Sequence, residues 1–268
     1  DGFSIGNLSS INTNSGTFAS WNWKAGGGQG SSNTAGSINT TYTSVNTTAG
    51  FSISQYVGNA TSGATVGHGL GTTPGLIFVK KTSASDGWGV YHHKNTSAPA
   101  TEYLRLDSTA ATSDNLGEWN DTAPTSTVFT IGNSGRTNDN GVTYIAYCFA
   151  EKKGYSKFGS YTGNGNANGT FVYTGFKPAW VMTKSSSSAG QSWHIQDNKR
   201  DGFNYDNKRL FADSNSSESG TTRMDLLSNG FKYRDGDGNG TGITYIYIAF
   251  AEEPLVANVG ASIPATAR

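Results

Sequence analysis

Thr143-Tyr144-Ile145-Ala146-Tyr147-Cys148-Phe149-Ala150-Glu151 and Thr244-Tyr245-Ile246-Tyr247-Ile248-Ala249-Phe250-Ala251-Glu252 are two versions of one segment. Both are dense in β-branched and aromatic residues, the composition that suits a pleated, buried strand. Each follows a shorter apolar run across a Gly/Asn/Asp loop: Phe129-Thr130-Ile131-Gly132 before the first, Gly230-Phe231-Lys232-Tyr233 before the second. Strand, turn residues and strand form a hairpin signature. A third occurrence opens the chain, where Gly2-Phe3-Ser4-Ile5-Gly6 precedes Thr17-Phe18-Ala19-Ser20-Trp21-Asn22-Trp23. The run Ile145 to Phe149 is apolar at successive positions, so both faces of that strand are expected to be covered.

Working outward, an opening pattern is duplicated as well. Phe51-Ser52-Ile53-Ser54-Gln55-Tyr56-Val57-Gly58-Asn59 matches Tyr155-Ser156-Lys157-Phe158-Gly159-Ser160-Tyr161-Thr162-Gly163-Asn164. A Pro-led strand and a tryptophan strand follow in each, Pro74 to Lys80 with Trp88 to His92, and Pro178 to Lys184 with Trp193 to Asp197. Self-similarity of this kind marks a repeat architecture. The expected organisation is a closing remnant of a preceding repeat over 1–25, a Gly/Ser/Thr-rich linker over 26–50, repeats over 51–151 and 155–252, and a tail over 253–268. Seven or eight short strands per unit predict an all-β protein, built as tandem antiparallel β-sandwich or jelly-roll-like repeat domains. The short Lys152-Lys153-Gly154 link leaves little slack, so the two units are expected to pack as a nearly rigid pair.

Composition narrows the function. The 268 residues include 36 glycines and only 14% charged side chains, with a formal net charge of zero. No stretch concentrates Lys or Arg, so the electrostatic footprint of nucleic-acid binding is missing. No apolar run approaches the ~20 residues that span a bilayer as a helix, so membrane insertion is not expected. Thirteen Tyr, thirteen Phe and six Trp are too many for a disordered chain. The single cysteine, Cys148, lies inside an apolar strand, where an inert buried thiol is expected.

The segments Tyr144 to Glu151, Tyr155 to Gly165, Phe176-Lys177-Pro178-Ala179-Trp180-Val181-Met182 and Lys208-Arg209-Leu210-Phe211-Ala212-Asp213 together resemble a repeat domain of unknown function. That domain occurs in tail-fibre-like virion proteins of marine tailed phages. The resemblance covers nearly the whole chain, including Trp21-Asn22-Trp23-Lys24-Ala25. It implies a place on a virion and a structural or host-recognition role, and it brings no catalytic residues.

Candidate chemistry is sparse. His92 and His93 are adjacent on a strand and point to opposite faces, so they do not chelate one metal together; His194 neighbours Trp193 in the equivalent strand, and packing is the favoured role for both His92 and His194. Asp235, Asp237 and Asn239 reproduce the first half of a calcium loop, but the twelfth position is Ile246 in place of a bidentate Glu. The other units carry turn residues at this place, so turn chemistry is favoured over a metal site there. Glu102, Glu118, Asp121, Glu151, Asp213, Glu218 and Asp225 are scattered and form no recognisable pair for glycoside hydrolysis. Trp119 has no counterpart in the later unit and is the candidate for an exposed glycan contact.

The sequence therefore predicts a non-enzymatic virion structural protein, a tail fibre, spike or surface decoration located at the virion surface or extracellularly. No cofactor is expected. The expected partners are further copies of itself, with a homotrimer as one form, other virion proteins and a host surface glycan. The alternatives are a lectin-like carbohydrate-binding module or adhesin and, third, a surface-glycan depolymerase.

Overall fold

The computed structural model describes residues 2–202, 204–220 and 224–252, and the expected tail over 253–268 lies outside them. Strands occupy 36% of the chain and helices 5%, so the protein is all-β, and every strand pair within its sheets is antiparallel. After a single helical turn, α1 (Ser9–Asn12), come β1 (Tyr42–Asn46), β2 (Phe51–Val57), β3 (Ala64–Gly67), β4 (Leu76–Lys81), β5 (Trp88–His92), β6 (Glu102–Arg105) and β7 (Ser113–Asp114). The turn α2 (Leu116–Trp119), β8 (Val128–Ile131), the turn α3 (Gly135–Asn138) and β9 (Thr143–Phe149) follow. The rest is β10 (Ser156–Thr162), β11 (Phe171–Tyr173), β12 (Pro178–Ser185), β13 (His194–Asp197), β14 (Leu210–Phe211), β15 (Met224–Leu227), β16 (Gly230–Tyr233) and β17 (Thr244–Ala251).

One large sheet has the order β1-β2-β9-β4-β5-β6-β7 and the other β10-β17-β12-β13-β14. In both, the closing strand inserts between the opening strand and the Pro-led strand. A small sheet accompanies each, β3-β8 with the first and β11-β16-β15 with the second. The alternating faces of the closing strands explain why neither face is polar. Tyr144, Ala146 and Cys148 point into a core shared with Val66, Phe129 and Ile131 of the first small sheet. Tyr245, Tyr247 and Ala249 point likewise toward Val172, Phe231 and Tyr233 of the second. The opposite faces meet in a third core, where Phe149, Leu76, Val90 and Leu104 pack on Ile246, Ile248, Phe250, Met182 and Trp193. The two large sheets thus lie against each other; β17 is covered on both sides, whereas on β9 Phe149 is buried in this core and Ile145 and Tyr147 stay half-buried. Burying each of these large side chains contributes about 2 kcal/mol.

A corner of one design ends each closing hairpin. Asn138 and Asn239 are both fully buried. The Asn138 side-chain oxygen accepts from the Asn59 N–H at 2.8 Å, and its amide donates to Thr61 O and Gly132 O. The Asn239 oxygen accepts from the Asn164 N–H at 3.1 Å, and its amide donates to Asn164 Oδ1, Asn166 O and Asp235 O. Beside each asparagine stand two stacked tyrosines, Tyr56 on Tyr144 at 5.3 Å and Tyr161 on Tyr245 at 5.2 Å. Their hydroxyls are satisfied alike: Tyr56 donates to Thr137 O and Tyr161 to Gly238 O, while Tyr144 and Tyr245 accept from the N–H groups of Asp139 and Gly240.

Two sequence expectations need correction. The Gly/Ser/Thr-rich stretch 26–50 is not a loose linker throughout, because β1 within it pairs in register with β2 from Tyr42↔Gln55 to Asn46↔Phe51. Its hydroxyls are held by a buried chain in which Thr40 meets Thr43, Thr43 meets Ser54, and Ser54 donates to Gly67 O. Gly30, at φ +80°, brings its backbone so close to Thr43 that a Cβ would sit 1.9 Å from the Thr43 carbonyl oxygen; glycine there serves close approach as well as flexibility. The segment 17–23, expected as a strand, forms none, since no neighbouring strand supplies the hydrogen bonds a strand requires. Its tryptophans are nonetheless docked.

Candidate functional site

Where the opening segment meets the second large sheet, Trp21 and Trp23 sit edge-on to Trp180, with ring centroids 6.4 and 5.3 Å away. A groove of about 480 Å³ runs along them, floored by Phe250 and Trp180 and rimmed by Asp197, Lys199, Arg200 and Glu252. β12 supplies Trp180, and Asp197 is the last residue of β13. Asp197 Oδ2 accepts from the Trp21 indole N–H at 3.1 Å and from Arg200 Nε at 2.7 Å, and Oδ1 accepts from the Lys199 and Arg200 N–H groups. Burial opposes ionisation of Asp197, but these donors outweigh it and hold the carboxyl below its usual range. Arg200 also lies 5.7 Å over the Trp21 ring and reaches Glu218 at 2.9 Å. Lys199 and Asn198 both donate to Glu252. The polar groups of the rim thus satisfy one another. Chemically, the arrangement is a clamp that holds the opening segment to the sheet, with an aromatic floor left beside it.

The residues singled out from sequence lie elsewhere. Trp119, expected at the surface, is only 2% exposed. It ends α2, whose N-cap Asn115 accepts from the Gly117 N–H, and its ring packs edge-on against Tyr91 at 5.9 Å in the first core. It therefore cannot be the exposed glycan contact. Asp235, Asp237 and Asn239 do not converge. Asp237 turns to Arg209 at 2.5 Å, Asp235 accepts the Asp237 N–H, and Asn239 presents amide hydrogens to its neighbours' oxygens. A side chain in that donor orientation is not a cation ligand. Among the described residues, no group of three or more His, Cys, Asp or Glu could hold a metal ion.

The histidines are built into the packing. His92, fully buried by the second sheet, donates from Nε2 to Tyr247 O and accepts at Nδ1 from the Lys94 N–H. Burial, reinforced by His93, pushes its pKa down to about 3. His194 lies against Arg209, and burial with that positive charge lowers it to about 4. His93 reaches Phe158 O and Glu151, tying the first large sheet to the second. Cys148 is fully buried, and desolvation drives its thiol pKa upward, away from the reactive thiolate. The scattered carboxylates have structural partners: Glu118 with Arg136, Glu151 with the Phe158 N–H, Asp213 with the Trp193 N–H and Asp225 with Arg234.

A family model described as a domain of unknown function, DUF7483, matches residues 1–254. The chain belongs to this family. No curated protein and no solved structure matches it. The match spans the opening segment, both large sheets and both small ones, so the clamp around Trp21 lies within the DUF7483 region. Sequence reasoning missed that clamp. Its one legible signal was Trp21-Asn22-Trp23, two tryptophans on the same face of an extended segment.

Proposed function

We propose that this chain is a non-enzymatic structural component of a virion surface appendage, a tail fibre, spike or surface decoration. In this reading it consists of tandem antiparallel β-sandwich units of jelly-roll-like character, over 51–151 and 155–252, with 1–25 as the closing part of another unit. The observation that carries the structural reading is the corner built twice, with Asn138 and Asn239, Tyr56 and Tyr161, and Tyr144 and Tyr245 in matching bonds. Buried polar groups used in this way rigidify a framework. The interlocked large sheets suit a load-bearing element in the same way: Lys184 Nζ reaches Thr109 O, and the Trp193 indole donates to Arg105 O. The virion setting rests on the sequence resemblance. Its partners would be further copies of the chain, other virion proteins and a host surface glycan.

Immunogold electron microscopy of phage particles whose genome encodes the chain tests this assignment. Label on tails, fibres or capsid surface is expected, and particles that lack both label and protein would overturn it. The lectin-like alternative has lost Trp119 as its contact; saturable binding on a glycan array, abolished by a groove substitution such as Trp180→Ala, would replace the structural reading with it. New reducing ends released from host capsule or lipopolysaccharide would favour a depolymerase instead.

A further inference from the structure

The spacing from Phe3 through Ile5, Asn12, Phe18, Trp21 and Trp23 is the spacing from Phe129 through Ile131, Asn138, Tyr144, Tyr147 and Phe149. The turn between its two apolar runs already folds as its counterpart does, although the runs themselves form no strands. The turn α1 occupies the place of α3, with the Asn12 N–H bonded to Leu8 O as the Asn138 N–H is to Ser134 O. The Asn12 side chain donates to Gly6 O at 2.7 Å, and that of Asn138 donates to Gly132 O at 2.7 Å. What differs is the surroundings. Phe3, Ile5 and Phe18 are 63, 45 and 54% exposed, whereas Phe129, Ile131 and Tyr144 are fully buried.

The other face of the segment is docked, and it is docked symmetrically. Trp23, Phe149 and Phe250 occupy one sequence position in three copies of the closing segment, and their rings form a triangle with centroid distances of 6.4, 5.2 and 5.8 Å. The contacts around this triangle run in one direction. His92, at the end of β5, bonds Tyr247 O of the closing strand β17. Asp197 holds the corresponding place in β13, since His92 pairs with Leu76 and Asp197 with Trp180. Asp197 accepts from Trp21, in the closing segment that comes next around the triangle. One contact of the cycle is open. It would fall on β9, where Ile145 and Tyr147 are half-buried, beside a groove of about 490 Å³ that Ile145 shares with Ile53 and Tyr42. Their counterparts Ile246 and Ile248 on β17 are at most 1% exposed beneath the first sheet.

We infer that a third unit of the same kind completes a closed ring about Trp23, Phe149 and Phe250. Residues 2–25 are its last two strands, and its counterparts of β4 and β5 cover the Ile53, Ile145 and Tyr147 face of the first large sheet. The inference rests on the reading of 1–25 as the closing part of a unit. It names the occupant of two open apolar surfaces: the opening strands of the third unit cover Phe3, Ile5 and Phe18, and its large-sheet face covers the half-buried Ile145. The ring places three strand-rich units around one aromatic axis, an arrangement that buries the faces a single unit leaves open.

The test fuses a second copy of residues 51–127 directly ahead of Gly2 in the full chain, so that Gly2 to Ala25 complete it in register; a parallel fusion carries residues 155–229. Hydrogen exchange reports whether the amides of Phe18 to Trp23 enter a ladder, with about 100-fold slowing expected. Ile145→Lys reports whether the far face is covered: the fusion's Tm is expected to drop by about 8 °C and the parent chain's by under about 2 °C. Slowed exchange with an equal Ile145→Lys effect in fusion and parent overturns the ring and spares the closing-strand reading. Unchanged exchange in both fusions, or failure of both to fold, overturns the two together.

Discussion

Asn138, the last residue of α3, and Asn239, in the loop between β16 and β17, hold the same station: each side-chain oxygen caps the N–H of an asparagine that follows a glycine at the end of an opening strand, Asn59 or Asn164. Each is fully buried, and each amide donates to at least one backbone carbonyl of the adjoining loops. Alanine at either place leaves a buried N–H and buried carbonyls without partners. Asn138→Ala and Asn239→Ala are each expected to cost about 3 kcal/mol, read as a lower urea midpoint with an unchanged m-value.

Acid sensitivity follows from His92. Its folded pKa of about 3 lies below the ordinary histidine value, so below about pH 6.5 the unfolded chain takes up a proton that the folded chain refuses. The stability this neutral histidine supports is complete above that pH and is lost as pH falls toward 3, with a limiting slope of about 1.4 kcal/mol per pH unit. His92→Gln keeps a donor and an acceptor and removes the titration. Denaturant midpoints measured from pH 7 to pH 4 should fall less steeply in the variant than in the parent.

Asp206 works in the opposite sense. Burial raises its carboxyl to about 6, and its Oδ2 has no hydrogen-bond partner. Folding therefore favours the protonated acid, and the stability gained below the ordinary carboxylate pKa is lost as pH rises through about 6. Asp206→Asn should raise Tm at pH 7 and leave it nearly unchanged at pH 4. An equal shift at both values would contradict the assignment.

Trp119→Ala empties part of the first core. Because the ring is 2% exposed and packs on Tyr91, the substitution is expected to cost about 4 kcal/mol of stability. Thermal unfolding checks this, and a variant as stable as the parent would show that the ring lies outside the core.

Much of the fold was legible because a run apolar at successive positions announces a central strand without knowledge of its neighbours. The runs Thr143 to Phe149 and Thr244 to Ala251 became β9 and β17, each flanked on both edges by other strands. Pro74 and Pro178 marked the strands that pair with them, and Cys148 proved as buried as its apolar setting implied. The candidate sites were far less legible. Asp235, Asp237 and Asn239 display alternate oxygens in the sequence, but the direction of the Asn239 amide depends on Asn164 and Asn166, some seventy positions away. Trp119 looked exposed among polar neighbours because what buries it comes from another strand.

The sequence by itself determined that the chain is all-β and where its closing strands fall, since composition, period and turn residues act over a few neighbours. Tertiary structure alone decided that Trp21 meets Asp197 and that Trp23, Phe149 and Phe250 come together. Such contacts join residues more than a hundred positions apart, and their free energy arises only when whole sheet faces leave water together.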